Sequence, residues 1–209
     1  MTIINAGFAT TSEEDLEGLG YLQNGLPGTF RNLFDRFRYQ MYHYAVIENG
    51  FLESLGGQVL LETGCGRGGG LNYLSQVLRP RQAIGIDLSA ANIEYCRQHW
   101  PKGSHVHTQF IRGDAEALSS MIPRLSIDVA VDIEGFFYYQ DKQAFLREIH
   151  SVLRERGTFY LAFFIQRTRL EEIHRMIRLY FDIAKEDDIT DNVLMSLRLD
   201  SQRISRFAD

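Results

Sequence analysis

The run Val59-Leu60-Leu61-Glu62-Thr63-Gly64-Cys65-Gly66-Arg67-Gly68-Gly69-Gly70 constrains this chain more than any other segment. Val59, Leu60 and Leu61 are too continuously apolar for a half-exposed strand and suit a buried parallel one, which has no polar side. The glycines that follow let the backbone turn sharply from strand to helix and approach a ligand without Cβ atoms in the way. Residues 71–78 are helical in pattern until Pro80 stops them, and 83–86 repeat the buried-strand signature before Asp87. The unit is therefore βαβ. A tight turn alone would explain the glycines, but Asp87 falls at the tip of the second strand, where a ribose-binding carboxylate belongs. Gly64, Gly66 and Gly69 also fit G-x-G-x-x-G, so the glycines by themselves leave NAD open as the nucleotide.

The rest of the chain repeats the pattern. Ser89 is a good N-cap for a helix to about residue 99, closed by Trp100-Pro101. Strands are predicted near 106–111, 127–133 and 159–165, with a helix over 141–154 that stops at Gly157. A charged helix near 169–179, a short strand near 181–185 and a helix from about 191 complete the order. Before the sheet, apolar residues from Thr29 recur at helical spacing up to Asn49-Gly50. Such alternation predicts a doubly wound, mainly parallel α/β sheet with helices on both faces. Residues 1–57 form an N-terminal helical segment packing on a core at 58–209, a single domain overall.

Composition matters mainly for what it excludes. A net charge of −5 argues against a nucleic-acid partner, since binding to phosphate backbones is driven by basic surface. Cys65 and Cys96 have neither zinc spacing nor disulfide density, which fits a reducing compartment. His105 and His107 would share one side of a strand, yet no further ligand with suitable spacing accompanies them, so no metal is expected. No apolar run is long enough to span a membrane, and the start lacks a leader pattern; the expectation is a cytoplasmic chain.

With these residues in place, the sequence resembles the class I S-adenosylmethionine-dependent methyltransferases, in which an acid at the end of the first strand precedes a G-x-G-x-G loop. Glu62 supplies that acid, and the resemblance implies that it helps to hold the amino group of the cofactor's methionine moiety. Asp87-Leu88-Ser89 and Gly113-Asp114-Ala115-Glu116 match the segments that follow the next two strands. The resemblance therefore assigns S-adenosylmethionine to Glu62, Gly64, Cys65, Gly66, Gly68, Asp87, Leu88, Asp114, Ala115 and Ile133. Asn5-Ala6-Gly7-Phe8, Gln40-Met41-Tyr42-His43 and Asp188-Ile189-Thr190-Asp191-Asn192-Val193-Leu194 look like enzymes of lipid and polyketide pathways, phthiotriolone-type methyltransferases among them.

The implied reaction is methyl transfer to a small apolar metabolite, with oxygen preferred as acceptor. Candidate bases near such a pocket are Glu134, Tyr138, Tyr139 and His43. Two features depart from the subgroup. Glu134 is followed by Gly135, Phe136 and Phe137, where a histidine is common. The chain also ends at Asp209, before the final antiparallel strand of the family. A sheet lacking that strand would have an open edge that a second subunit, as in a homodimer, could cover. The rival readings are a cofactor-binding protein that has lost transfer and an NAD-dependent oxidoreductase.

Overall fold

The computed structural model describes residues 2–5, 36–48, 54–100 and 106–206. Strand β1 is Thr2–Asn5, and helix α1, Arg36–Tyr42, runs on into a π-helical turn, His43–Glu48. Then follow β2 (Val59–Thr63), α2 (Gly69–Leu78), β3 (Gln82–Asp87), α3 (Ala90–His99) and β4 (His107–Arg112). The second half holds β5 (Ile127–Ile133), α4 (Lys142–Val152), β6 (Leu153–Phe163), α5 (Leu170–Arg178), β7 (Lys185–Asp187) and α6 (Thr190–Arg206). All strands join one sheet in the order β4-β3-β2-β5-β6-β1-β7, and each pairing is parallel. The order reverses between β2 and β5. Open α/β sheets bind ligands in the crevice beyond the carboxyl ends of the strands at such a reversal.

Side-chain alternation along the strands divides the core into two layers. Leu60, Val131, Ile133, Tyr160 and Ala162 face one side, where they meet Tyr39, Met41 and Ala45 and the α2 residues Leu71, Tyr73 and Leu74. Leu61, Ile86, Ala130, Phe159, Leu161 and Phe163 face the other, against Phe145, Leu146 and Ile149 of α4 and Ile173 and Ile177 of α5. Two acids follow this same parity. Glu62 lies on the α1/α2 side, and Asp132 on the α4 side beside Thr63, its register partner on β2.

The structure departs from the sequence reading in three places. The helix expected over 141–154 ends at Val152, and β6, expected from 159, begins at Leu153, because Leu153 pairs with Ile127 and Arg154 grips Asp128 at 2.6 Å. Phe181 was expected in a strand. It packs instead on the ring of Phe159, 5.6 Å between centroids, and the strand moves on to Lys185–Asp187. Residues 29–35, where the N-terminal helix was expected to begin, lie outside the described residues, as do Asn49-Gly50 and His105. Finally, Thr2–Asn5 is not part of a helical appendage: it lies between β6 and β7 and pairs with both. The sheet thus has a seventh strand, parallel and N-terminal, between those two strands.

Candidate functional site

The loop between β2 and α2 is built on positive-φ glycines: Gly64 at 61°, Gly66 at 53° and Gly68 at 75°. Gly68 has a second reason to be glycine, since a Cβ there would sit 2.9 Å from Cys96 Sγ and from the rings of Phe110 and Trp100. Asp87 fastens the loop. Its Oδ2 accepts the Gly66 N–H at 2.8 Å, while Oδ1 accepts the Ser89 N–H at 2.8 Å and the Asn92 amide at 3.1 Å. A carboxylate has about four acceptor positions. Three are already occupied, so Asp87 can take one ribose hydroxyl without rearrangement, and a second only if Asn92 or Gly66 lets go.

A cavity of about 550 Å³, in the range of small-molecule sites, opens at the carboxyl ends of β3, β4 and β5. Gly64, Asp87, Leu88, Asp114, Ala115 and Ile133 line it, as do Glu134, Tyr138 and Tyr139. Asp114 caps the short 3-10 helix Ala115–Ser120 by accepting the Glu116 N–H at 2.8 Å. Glu116 in turn accepts the N–H groups of Gln140 and Asp141 at 2.8 and 2.9 Å, which ties the wall after β4 to the wall after β5. Glu62, Cys65, Gly66 and Gly68 do not line this cavity. Cys65 and Cys96 are buried, and both sulfurs point at the Gly66 carbonyl, so the thiols pack the underside of the loop.

Glu62 is fully buried. One carboxyl oxygen accepts the Tyr42 hydroxyl at 2.5 Å, and the other has no hydrogen-bond partner. Tyr42 is pressed onto Gly70, where an added Cβ would fall 2.0 Å from its ring. Burial pushes the Glu62 carboxyl up to about 8; the Tyr42 hydrogen bond and a weaker approach of the Leu71 backbone N–H work against this rise, and the charges of Asp132 and Asp87 add to it. A buried, neutral acid with an idle oxygen is costly unless something arrives to use it. A primary ammonium is the group that would.

Asp132 presents the opposite case. It is equally buried, yet it accepts the Thr63 hydroxyl at 2.8 Å, the Tyr139 hydroxyl at 2.6 Å and the Phe136 N–H at 2.8 Å. Burial raises it to about 6, and those hydrogen bonds hold it from rising further.

Of the candidate bases, Glu134 lines the cavity with a left-handed φ of 65°, a strained state for a residue with a side chain. Its carboxyl is raised by burial, partly opposed by the Arg38 charge. Tyr138 is 80% exposed at the cavity mouth, edge-on to Phe137. His43 is turned elsewhere: Nδ1 meets the Tyr73 hydroxyl at 2.7 Å and Nε2 lies 3.5 Å from Glu48. It joins the π-helical turn to α2 and is not among the residues lining the cavity. Sequence reasoning did not single out Asp132, Asn92 or the Tyr42–Glu62 bond. The available signal for Asp132 was an acid inside a strand that is otherwise wholly apolar beyond Asp128, since a buried carboxylate needs partners. Among the described residues no group of three or more potential ligands could hold a metal ion, and no helix is long and apolar enough to cross a membrane.

Comparison with known proteins agrees with this geometry. Residues 61–161 match the methyltransferase domain family, from the middle of β2 into β6. Over these residues the chain is similar to S-adenosylmethionine-dependent methyltransferases of class I. It is 31% identical to a fatty-acid O-methyltransferase of Mycolicibacterium smegmatis over 65% of this chain and 46% of that protein. It is 36% identical to a phthiotriol/phenolphthiotriol dimycocerosates methyltransferase of Mycobacterium tuberculosis over 60% of this chain and 43% of that one. The chain thus matches less than half the length of these relatives. Among solved structures, the [4+2]-cyclase SpnF aligns with a TM-score of 0.56 at 16% identity, over 84% of this chain and 75% of the cyclase. A geranyl diphosphate methyltransferase in complex with GPP and sinefungin aligns at 0.54 and 21% identity, over 74% of this chain and 54% of the enzyme. These two likenesses establish the fold.

The residues of the methyltransferase domain fit S-adenosylmethionine on two observations. The idle Glu62 oxygen suits an ammonium, and the remaining acceptor position of Asp87, on the adjoining strand and lining the cavity, suits a ribose hydroxyl.

Proposed function

We propose that the protein transfers a methyl group from S-adenosylmethionine to a small apolar metabolite, lipid- or polyketide-like, with oxygen as the preferred acceptor atom. The unpartnered buried oxygen of Glu62 carries this reading, because NAD offers no primary ammonium to satisfy it. Glu134 lines the cavity, and Leu88, Phe137 and Tyr138 expose apolar surface at 68%, 60% and 80%, which suits an apolar acceptor. The donor sulfonium is already activated, so the chain has to align acceptor oxygen and methyl carbon and keep water out. The names of the fatty-acid and phthiotriol relatives support the lipid-like acceptor. A cytoplasmic site of action, a homodimer and the absence of a nucleic-acid partner belong to the same proposal; the net charge of −5 supports the last of these.

Titration calorimetry with S-adenosylhomocysteine and with NAD tests the cofactor half. Binding of the first alone is expected, and binding of NAD with Glu62→Ala unaffected would replace the reading with an oxidoreductase. The acceptor half is tested by mass spectrometry of long-chain fatty acids and alkylphenols incubated with enzyme and S-adenosylmethionine. Cofactor binding without a product in any acceptor would favour a protein that has kept the nucleoside site and lost transfer.

A further inference from the structure

Asp132 is buried, ionisable and unused by cofactor recognition, and it lies one hydrogen bond away from the cavity. We propose that Tyr139 and Asp132 form a proton relay for a hydroxyl acceptor, with Tyr139 as the catalytic residue that receives the proton and Asp132 as the group that positions Tyr139 and takes the phenolic proton. The inference rests on the reading that the acceptor atom is oxygen.

Tyr139 lines the cavity, and its hydroxyl stands over the glycine loop, 3.3 Å from where a Cβ on Gly64 would lie and 2.9 Å from one on Gly135. The absence of side chains at both positions leaves room around the phenol oxygen. That oxygen has a single proton, already donated to Asp132 Oδ2 at 2.6 Å. Toward any hydroxyl in the cavity it can therefore only accept. The ring is fixed by stacking on Phe145, 4.2 Å between centroids, and the Tyr139 carbonyl accepts Lys142 Nζ at 2.7 Å. Asp132 is held by Thr63 and by the Phe136 N–H, so the pair stays aligned without substrate.

As the acceptor oxygen bonds to the methyl carbon, the carbon–sulfur bond breaks and its electron pair stays on sulfur. The acceptor proton passes to Tyr139 Oη while the Tyr139 proton passes to Asp132 Oδ2. The relay thus ends with a buried carboxylate neutralised, which favours the transfer because Asp132 has no solvent exposure. The ionisable groups around the pair are Glu62 and Tyr42 across β2, and Asp87 beside the loop. With its carboxyl at about 6, Asp132 is ionised near neutral pH, while burial and the Asp132 charge hold the Tyr139 phenol well above its usual range. Tyr139 therefore passes a proton through and does not act as a standing phenolate. This arrangement supplies a base where the sequence places phenylalanine after Glu134 and Gly135.

The first arm of the test needs no acceptor. The ultraviolet difference spectrum of the wild-type chain should show a tyrosine perturbation with a midpoint near pH 6 as Asp132 ionises, lost in both Tyr139→Phe and Asp132→Asn; its persistence in Tyr139→Phe would overturn the relay. The second arm compares an alkylphenol with a fatty acid of matched length, since a carboxylate acceptor has no proton to lose. Tyr139→Phe should slow phenol methylation by about 100-fold, leave carboxylate methylation within about twofold, and keep the S-adenosylhomocysteine dissociation constant unchanged. Equal loss on both acceptors would assign Tyr139 a structural role and overturn the proposal. If neither acceptor is methylated while the spectroscopic coupling holds, the acceptor reading of the preceding section fails and the coupled pair stands.

Discussion

Glu62 and Asp132 stand on neighbouring strands at the reversal of the sheet, both without solvent exposure, and differ in nearly everything else. Asp132 faces α4 and accepts three donors; Glu62 faces α1 and α2, accepts one, and leaves an oxygen idle. Burial raises both, yet Asp132 rises to about 6 and Glu62 to about 8. The gap follows the donors, because each hydrogen bond to the charged form offsets desolvation. Asp132 is satisfied by the fold, whereas Glu62 keeps an oxygen that the ammonium of the proposed cofactor would use. The contrast predicts that one acid supports stability and the other binding.

The largest effect should come from Asp132→Ala. It strands the Thr63 hydroxyl, the Tyr139 hydroxyl and the Phe136 N–H, and should cost about 3 to 5 kcal/mol in urea unfolding. A loss under about 1 kcal/mol would mean that water already reaches these donors, and the comparison with Glu62 would collapse.

Glu62→Gln should do the reverse. The folded-state value of about 8 lies above the ordinary 4.5, so the native state holds a proton that the unfolded chain releases between those values. Stability from this group is therefore present below about pH 4.5 and declines as pH rises towards 8. Glu62→Gln should flatten that decline in a series of melting curves. It should also weaken S-adenosylhomocysteine by about 10-fold or more through loss of a charge-assisted hydrogen bond. In the wild type, an arriving ammonium favours the carboxylate, so calorimetry at pH 7 in buffers of different ionisation enthalpy should show proton release on binding. Absence of that release, with Glu62→Gln binding normally, would take Glu62 out of the site.

A third acid sharpens the contrast. Asp87 is mostly committed, like Asp132, yet keeps one acceptor position, like Glu62. Removing one ribose hydroxyl from S-adenosylhomocysteine should cost about 1 kcal/mol, and removing the other close to nothing. Equal losses for the 2′- and 3′-deoxy compounds would show that Asn92 or Gly66 yields its bond when ligand binds. Asp87→Ala should weaken the parent ligand by about 1 to 3 kcal/mol, since it also releases the Gly66 N–H.

Much of this was legible in the chain. The apolar run ending in Glu62, the glycines and Asp87 specify a strand, a turn and a second strand by local rules, and Ser89 caps α3 as expected, accepting the Asn92 N–H at 3.3 Å. What was not legible depends on distant partners. Whether Glu62 has one donor or three is decided by Tyr42, twenty residues away, and Asp132 draws Thr63 from another strand. Thr2–Asn5 is too short to show a period, and its place in the sheet exists only once β6 and β7 flank it. Leu153 reads as the end of a helix until Ile127 offers it a strand. His43 stood among the candidate bases beside Glu134 because spacing does not reveal which face of a helix meets the site.

The smallest expected effect lies at the mouth of the cavity. Phe137 is 60% exposed beside the cavity-lining Tyr138, whose ring it meets edge-on, so Phe137→Ala should change unfolding free energy by no more than about 0.5 kcal/mol. Neither acid touches it, and cofactor affinity should also stay constant. An apolar acceptor, however, has to pass this rim, and removing a large ring from its path should raise KM for a long-chain acceptor several-fold while leaving kcat in place. That pattern would place the acceptor on the Phe137 side of the cavity, above Asp132 and Tyr139. A fall in kcat with unchanged KM would instead mean that Phe137 holds the loop after β5, and that the side of the sheet served by Asp132 extends further out than its buried contacts indicate.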